Sequence, residues 1–322
     1  MQWIILFFCS LFIFVSPFRV LAEVPERKSP LGMWVWRADA LKSEEQAKEL
    51  IDFSRKHGID TLLLQINFTE DDPPKLQYKE GLKRLLKLAS EAGISVEALD
   101  GAPEMALAKE RRENIKKLDA ILDFQSGQPE GARFTAIHYD IEPYAMPQWK
   151  DTLSGRRVLV REMLETFAFF RYYLEANDST GLLLKFDIPS WYGGNFSEIA
   201  IDFAGATKPL NEHVQDIADE VVIMSYRREP RGPNSVQDIS REELDYAAKI
   251  GKKTSLALET IELKEDAHIS FFGLPASQFR DAVHALYKDR EGTPGFGGVY
   301  LHYYYHLKDY LADTEPLFPA TK

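Results

Sequence analysis

The sequence predicts an α/β fold organised as a single (β/α)8 barrel. Short apolar runs alternate with amphipathic stretches along the chain, a pattern typical of strand–helix units that build a parallel sheet. Eight apolar runs qualify as strands, and the roughly 300 residues that contain them match the usual size of one such barrel. No linker-like composition separates these runs, so one domain over residues 23–322 is expected.

The first half of the chain supplies four predicted strands and the helices between them. Ser43 followed by Gln46 forms a capping box at the start of the first helix, and Gly58 ends that helix. Gly93 closes the second helix, while the third helical stretch is highly charged and is expected to lie on the surface. The predicted elements are strand 31–36, helix 43–58, strand 61–66, helix 79–92, strand 95–99, helix 106–124 and strand 134–141.

The second half repeats this pattern around one irregular segment. Residues 188–197 combine Trp191 and Tyr192 with a proline and two glycines, a composition typical of a structured binding loop. Further along, Ser240 and Glu243 predict a second capping box. The other predicted elements are helix 158–175, which has an aromatic face, and strands 182–187, 220–226, 254–259 and 298–302.

The first 22 residues have the features of a secretion signal. An apolar stretch over residues 3–15 is followed by a break at Pro17 and by small residues at Val20 and Ala22 that suit signal peptidase. The positively charged region that normally precedes such a stretch is poor, so retention as a membrane anchor is the alternative. Cleavage after Ala22 predicts a secreted or periplasmic protein.

Composition limits the partners and cofactors. The formal net charge of -11 disfavours polyanions such as nucleic acid, and outside the leader no stretch of the sequence is apolar enough to cross a membrane. Cys9 is the only cysteine and lies in the leader, so neither disulfides nor cysteine-bound metals are expected in the mature chain. We therefore expect a monomer that needs no cofactor and binds a neutral or cationic ligand.

The most informative segment is residues 135–144, Thr-Ala-Ile-His-Tyr-Asp-Ile-Glu-Pro-Tyr. Side chains alternate along a strand, so His138, Asp140 and Glu142 are expected on one side, and Pro143 stops strand pairing where the chain leaves the sheet. Carboxylates this close cannot all ionise easily; the pKa of one rises, and that group can then donate a proton near neutral pH. At a barrel strand end, this pattern predicts acid catalysis on a sugar.

The other predicted strand ends also carry polar or aromatic side chains. Each has a structural explanation of its own: Asp100 can cap a turn, Asp187 can pair with a basic neighbour, and His302 can be a hydrogen-bonded core residue. Together they are too many for a plain barrel end, so a binding cleft is expected there. Besides Asp140 and Glu142, the residues assigned to this cleft are Trp36, Gln65, Asn67, Asp100, His138, Asp187, Trp191, Tyr226, Arg227, Glu259, His302 and Tyr304.

Three of these residues are expected to be platforms for sugar rings. Trp36, Trp191 and Tyr304 carry flat apolar rings, which match the C–H faces of pyranoses. Core packing is the competing explanation for Trp36. A carbohydrate is therefore the expected ligand.

At these positions the chain resembles the family 18 chitinase-like glycoside hydrolases. The fourth strand of that family ends in Asp-x-x-Asp-x-Asp-x-Glu, and Asp140 and Glu142 match its last two acidic residues. Thr135 and His138 stand where the family has its first two aspartates. On strand six, the family's Met-x-Tyr is matched by residues 224–226, Met-Ser-Tyr. At the end of strand eight, an aromatic residue is typical of the family, and Tyr303 or Tyr304 is available here.

This resemblance implies a mechanism in which the substrate assists its own cleavage. Glu142 would protonate the leaving glycosidic oxygen. Asp140 and Tyr226 would steady the N-acetyl group of the substrate as it attacks the anomeric carbon. No metal or cofactor takes part in such a reaction.

A second, partial resemblance is to the clan of retaining barrel glycosidases. In that clan an acid Glu precedes a proline on strand four and a nucleophilic Glu ends strand seven, positions that Glu142 and Glu259 occupy here. Ile141 replaces the clan's Asn before the acid. The resemblance implies two carboxyl groups about 5 to 5.5 Å apart and a covalent glycosyl intermediate on Glu259. Both resemblances agree on Glu142 as the acid.

Two other functions remain as alternatives. His138, Asp140 and Glu142 are ligand types that suit a divalent cation, which would give a metal-dependent hydrolase. A barrel with an altered motif can also keep its cleft without turnover and act as a carbohydrate-binding protein of the cell envelope. The leading prediction is a glycoside hydrolase with Glu142 as general acid and with Asp140, Tyr226 or Glu259 completing the site.

Overall fold

Eight parallel strands close into a barrel in the part of the chain that the computed structural model describes, residues 24–179, 181–193, 201–264 and 266–319. Each strand pairs with the strands before and after it in sequence, and the last pairs with the first. The predicted single (β/α)8 TIM barrel is therefore confirmed, whereas the predicted leader and Cys9 lie outside the described residues. The barrel strands are β1 Leu31–Val35, β2 Thr61–Gln65, β3 Ser95–Asp100, β4 Ala136–Tyr139, β5 Leu183–Pro189, β6 Glu220–Met224, β7 Lys253–Glu259 and β8 Phe296–His302.

Helices alternate with the strands and cover the outside of the barrel. None of the described helices is both long and apolar enough to span a bilayer. A short antiparallel hairpin, Ile201–Phe203 with Ala206–Lys208, follows β5. The helices are α1 Asp39–Lys42, α2 Glu44–His57, α3 Lys79–Glu91, α4 Arg111–Ser126, α5 Pro147–Asp151, α6 Leu153–Ala176, α7 Leu210–Ile217, α8 Val236–Ile239, α9 Arg241–Ile250, α10 Ala276–Arg290 and α11 Tyr304–Tyr310.

Local signals set several of these boundaries. The Ser43 side chain accepts a hydrogen bond from the Gln46 amide at 3.3 Å, and Gly58 ends α2 with a φ of 68°. The second predicted capping box is wrong in its detail, because Ser240 precedes α9 but its hydroxyl makes no cap bond. Ser235 instead caps the unpredicted short helix α8 by accepting from the Asp238 amide.

Aromatic rings join the sheet to helix α6. Tyr139 on β4 stacks on Phe170 with ring centroids 4.4 Å apart, and Phe186 on β5 stacks on Phe167 at 3.9 Å. All four rings are buried, and Phe167 and Phe170 belong to the aromatic helix face that the sequence predicts. This packing fixes β4 and β5 against the long helix that connects them.

Large side chains fill the barrel interior. Trp34 and Tyr300 meet edge to face with centroids 5.9 Å apart, and the Tyr300 ring occupies the space that a side chain at position 32 would need. Gly32 is therefore required for Tyr300 to point inward. The apolar interior layer consists of Trp34, Leu63, Leu99, Val222, Ala257 and Tyr300.

Candidate active site

A chain of charged side chains crosses the barrel interior. The His138 ring nitrogens lie 2.7 Å from Glu97 Oε2 and 2.9 Å from Asp187 Oδ1. Lys185 Nζ donates to Glu97 Oε1 at 2.6 Å and lies 2.8 Å from Glu220 Oε2. All five side chains are buried, so each charge is balanced by a partner rather than by water. We call Glu97, His138, Lys185, Asp187 and Glu220 the ion chain.

The ion chain has defined protonation states. Burial alone would lower the pKa of His138, but Asp187 and Glu97 outweigh it and raise this pKa to about 10. Burial opposes ionisation of Glu97 as well, yet Lys185 and His138 lower its pKa to about 2. His138 is therefore an imidazolium that donates from both nitrogens, to Glu97 and to Asp187.

Asp140 and Glu142 lie just above the ion chain, at the carboxyl-terminal end of the barrel, which we call the mouth. Strand β4 ends at Tyr139, shorter than predicted, because Asp140 and Glu142 belong to the turn that precedes the short 3-10 helix Pro143–Ala145. The Tyr144 hydroxyl donates to Glu142 Oε1. Oδ1 of Asp140 is buried and has no hydrogen-bond partner among the described residues.

Both mouth carboxyls hold their protons more tightly than ordinary side chains do. Burial, followed by the charges of Asp187 and Glu142, raises the pKa of Asp140 well above its usual value. Burial also raises the pKa of Glu142, assisted by the charge of Asp187 and opposed by the hydrogen bond from the Tyr144 hydroxyl. A protonated carboxyl at the mouth can act as a general acid near neutral pH.

Tyr226 faces the same carboxyl groups from the end of β6. Its pKa is raised well above the usual value, first by burial and then by the four surrounding carboxylates. The phenol therefore stays protonated and can donate a hydrogen bond into the mouth. The carboxylates around it are Glu259, Asp187, Asp140 and Glu142.

Glu259 and His302 lie at the tips of β7 and β8, where they are already bonded. His302 Nδ1 is 2.7 Å from Glu259 Oε2, and Trp36 Nε1 donates to His302 Nε2 at 3.0 Å. Oε1 of Glu259 accepts from the amides of Thr260 and Ile261 at 2.6 and 2.8 Å. The structure thus brings Trp36, His302 and Glu259 together as one hydrogen-bonded group.

A cluster of aromatic rings stands beside Glu142. Trp191 contacts the rings of Tyr144, Tyr192 and Trp149, with centroids 5.1, 4.9 and 5.7 Å away. Tyr192 is buried and its hydroxyl has no hydrogen-bond partner among the described residues. Trp191 and Tyr192 of the predicted binding loop therefore lie beside Tyr144, which bonds Glu142. Residues 188 and 189 belong to β5 rather than to the loop, and residues 194–197 lie outside the described part of the chain.

Two of the predicted cleft residues lie away from the mouth. Asp100 alternates with the inward-facing Leu99, so it points outward, where it accepts from the Gly101 amide at 2.9 Å and approaches Lys117 of α4. Tyr304 starts α11 and is 3% exposed, with its ring 5.5 Å from that of Phe53. Asp100 therefore bonds to the backbone just after β3, and Tyr304 packs in the core.

The remaining predicted residues lie at the rim. Gln65 ends β2, and Asn67 follows it with Nδ2 buried and lacking a partner among the described residues. Arg227 follows β6, donates to the Tyr226 carbonyl at 2.7 Å, and lines a cleft of about 380 Å³ together with Trp191.

Sequence reasoning missed three members of the ion chain and one member of the mouth. Glu97, Lys185 and Glu220 are charged residues inside otherwise apolar strands, and that interruption is the signal that marks them in the sequence. Tyr144 lies within residues 135–144, two residues after Glu142, but its hydrogen bond to Glu142 depends on the turn at Pro143.

Comparisons with known proteins show the fold and no more. No protein-family model matches the chain, and no curated protein matches it. Among solved structures, the endo-β-1,4-mannanase from Thermotoga petrophila has a TM-score of 0.52 at 12% identity, covering 85% of this chain and 67% of that one. ScGas2 also scores 0.52 at 12% identity, with coverages of 89% and 64%.

A chitinase of family GH18 from Pseudoalteromonas aurantia is also similar in fold. Its TM-score is 0.47 at 12% identity, and the match covers 88% of this chain and 98% of that one. At 12% identity, the matches to the Thermotoga petrophila mannanase and to ScGas2 show a shared fold.

Proposed function

We propose that the protein hydrolyses a glycosidic bond, with Glu142 as the general acid. The observation that carries this proposal is a pair of partly buried carboxyls at the mouth, Glu142 and Asp140, neither of which bonds a cation among the described residues; burial raises the pKa of both. A carboxylic acid that keeps its proton near neutral pH can give it to a poor leaving group such as a sugar hydroxyl. The position fits this role, because the functional groups of such barrels gather at the carboxyl ends of the strands.

The chemistry that we propose uses an N-acetyl group of the substrate. Glu142 gives its proton to the glycosidic oxygen as the bond from that oxygen to the anomeric carbon breaks. The acetamido oxygen bonds to the anomeric carbon, while Asp140 and Tyr226 hydrogen-bond the acetamido group. That new bond closes a five-membered ring that includes the acetamido group. Water then attacks the anomeric carbon, the bond to the acetamido oxygen breaks, and the Glu142 carboxylate takes a proton from the water, which restores the acid.

The contacts of Glu259 favour this route over one with a protein nucleophile. Both Glu259 oxygens accept hydrogen bonds, three in all, and the residue is 2% exposed. An attacking carboxylate needs an oxygen free to approach the anomeric carbon. Asp140 has a buried oxygen without a partner among the described residues, so it is the better candidate to meet the substrate.

The substrate class follows from the same surroundings. Trp36 and Trp191 are half-buried rings at the rim, and such rings pack against the C–H faces of pyranoses. Among the structures that share this fold, the Thermotoga petrophila protein is an endo-β-1,4-mannanase, an enzyme of carbohydrate cleavage. We propose a glycan substrate that carries N-acetyl groups. From the leader-like first 22 residues, we also propose action outside the cytoplasm.

One alternative, a carbohydrate-binding barrel without turnover, keeps a specific observation in its favour. His138 replaces the aspartate that precedes Asp140 in family 18, and both of its nitrogens are held in the ion chain. The same bonds weigh against the metal-dependent alternative, because a histidine that donates from both nitrogens has no lone pair for a metal. Within the described part of the chain, no three His, Cys, Asp or Glu side chains are grouped so as to hold a metal ion.

Hydrolysis of a glycan panel tests the proposal. The purified protein is incubated with tetra-N-acetylchitotetraose, β-1,4-mannotetraose and peptidoglycan fragments, and the products are separated by chromatography. We expect cleavage of an N-acetylated glycan and a fall in kcat of about 10²- to 10⁴-fold in Glu142→Gln. Glu130→Gln changes an exposed glutamate before β4 and is expected to leave kcat unchanged. Binding of a glycan without cleavage, equal in wild type and Glu142→Gln, would establish the non-catalytic alternative.

A further inference from the structure

Three side chains at the tips of β1, β8 and β7 form a hydrogen-bonded row that we call the tryptophan relay. It runs from Trp36 through His302 to Glu259, with donor–acceptor distances of 3.0 and 2.7 Å. An indole N–H can only donate, so Nε2 of His302 must accept. Nδ1 then carries the ring proton and donates it to Glu259 Oε2. The relay therefore has a single direction of donation, which Trp36 sets at one end and the carboxylate at the other.

The far end of the relay is anchored to the backbone. Glu259 accepts from the amides of Thr260 and Ile261 as well as from His302, so the whole carboxylate is held in place. The Thr260 hydroxyl and amide both donate to the His302 carbonyl, at 2.8 and 3.2 Å. These bonds tie the tips of β7 and β8 together and fix the height of the imidazole.

Aromatic rings enclose the middle of the relay. The His302 ring lies 5.7 Å from Trp34, 6.0 Å from Tyr226 and 5.0 Å from Tyr303, measured between centroids. The His302 side chain is 18% exposed, but both of its nitrogens are bonded, so it has no free hydrogen-bonding position for a substrate. Trp36 is also half-buried, and only its N–H is used in the relay. The Trp36 ring is therefore the end of the relay that can pack against a ligand.

We propose that Glu259 and His302 are positioning residues that hold the Trp36 ring as a fixed platform for one sugar ring of the substrate. This inference rests on the proposed glycan hydrolysis. It gives Glu259 a task other than nucleophilic attack, namely to keep the proton of His302 on Nδ1. A platform fixed before binding loses little conformational entropy when the sugar packs on it, so the relay contributes to affinity more than to the rate of bond cleavage.

The variant Glu259→Gln tests the direction of donation. The new side chain has an NH₂ group in place of one carboxylate oxygen. That NH₂ group faces another donor, either the backbone amides of Thr260 and Ile261 or the Nδ1 proton of His302. If the imidazole moves its proton to Nε2, two donors face each other at Trp36 and the ring leaves its place. We expect KM for the cleaved glycan to rise about tenfold with kcat within roughly threefold of wild type.

A double-mutant cycle with Trp36→Phe separates positioning from other roles. Phenylalanine keeps a flat ring at the rim but has no N–H to be directed, so Glu259→Gln should have no further effect on KM in that background. Tetra-N-acetylchitotetraose is the first probe and β-1,4-mannotetraose the second, with thermal unfolding of every variant as the control for folding. Trp36→Leu is the companion variant, and we expect it to raise KM at least as much as Glu259→Gln does.

The outcomes are distinct. A rise of KM that appears only when Trp36 is present supports the inference. A loss of kcat by a thousandfold or more in both backgrounds would make Glu259 the nucleophile, and an equal rise of KM in both would show that it does not act through Trp36; either result overturns the inference and leaves Glu142 as the acid. Should Glu259→Gln fail to fold, an unchanged KM in Trp36→Leu overturns it and a raised KM supports it. Failure of the wild type to cleave either probe or any peptidoglycan fragment contradicts the proposed function itself.

Discussion

The ion chain and the mouth contain the same kinds of side chain, but the pKa of Glu97 in the ion chain and the pKa values of the mouth carboxyls shift in opposite directions. In the ion chain, each carboxylate faces a cation: Glu97 meets His138 and Lys185, and Lys185 also meets Glu220. At the mouth, the closest bonded neighbour of Glu142 is the hydroxyl of Tyr144. The pKa of Glu97 accordingly falls to about 2, while that of Glu142 rises. Burial acts on both groups, so the presence or absence of a cation decides which carboxyl stays ionised and which can deliver a proton.

Asp187 links the two regions. It accepts from His138 at 2.9 Å and from the Trp34 indole at 3.1 Å, so it belongs to the ion chain. Its charge also raises the pKa of both Asp140 and Glu142 above it. The charge of Asp187, which is held in the ion chain, therefore helps to keep Asp140 and Glu142 at the mouth protonated.

The largest expected effect is a loss of stability when the ion chain is broken. Lys185→Met removes the cation between Glu97 and Glu220 and leaves buried carboxylates without it, so the free energy of unfolding should fall by about 3–5 kcal/mol. Urea unfolding measures this change. Lys308→Met breaks a partly exposed ion pair with Glu49 and should cost less than about 1 kcal/mol. Equal losses in the two variants would mean that the ion chain has no special structural role.

The second prediction concerns stability against pH. The folded pKa of His138 is raised from 6.5 to about 10, so the stabilisation is complete below pH 6.5 and disappears as the pH rises through about 10. Within this window each pH unit should lower the free energy of unfolding by on the order of 1 kcal/mol. His138→Gln has no proton to lose and should lack this slope. The same slope in both proteins would contradict the imidazolium assignment.

Glu97 gives the corresponding effect in acid. Its pKa is lowered from 4.5 to about 2, so its contribution is complete above pH 4.5 and is lost as the pH falls through about 2. Acid unfolding followed by circular dichroism should therefore occur at higher pH in Glu97→Gln, provided that the comparison starts from folded protein at neutral pH. An unchanged acid midpoint would contradict the assignment.

The smallest effect, a shift of the pH–rate profile, sharpens the description of the mouth. The Tyr144 hydroxyl lowers the pKa of Glu142, so Tyr144→Phe should raise it and move the alkaline limb of kcat/KM to higher pH. Asp187→Asn removes a charge that raises the same pKa and should move that limb to lower pH. Steady-state rates from pH 4 to pH 9 (roughly the range over which carboxyl acids with raised pKa values titrate) measure both shifts. Shifts in the same direction would mean that Glu142 is not the group that titrates.

Sequence reasoning predicted the fold, and it predicted that Asp140 and Glu142 lie close together, because both depend on local patterns. The alternation of apolar runs with helical stretches predicts the barrel, and Asp140 and Glu142 are only two residues apart in the turn after β4, which keeps them close together at the mouth. Capping by Ser43 and the left-handed Gly58 are local in the same sense.

The remaining features depend on contacts between residues far apart in the sequence. His138 bonds to a carboxylate 41 residues earlier and to another 49 residues later, and nothing near it predicts either partner. Asp100 and Tyr304 lie away from the mouth, contrary to the prediction, for a related reason. A strand end has two faces, and the choice of Leu99 as the inward residue turns Asp100 outward. Tyr304 follows the strand by two residues, and there the start of α11 carries its ring into the core.

One paired measurement on Glu142→Gln tests the central claim. The claim is that the mouth carboxyls, which bond no cation among the described residues, carry out the chemistry, while the ion chain stabilises the fold. Hydrolysis of the cleaved glycan and urea unfolding are measured on the same preparations of wild type and variant. We expect kcat to fall by about 10²- to 10⁴-fold while the free energy of unfolding stays the same or rises, since the variant removes a partly buried carboxyl that bonds no cation in the described part of the chain. Retained hydrolysis, or a loss of stability as large as that of Lys185→Met, would contradict the claim.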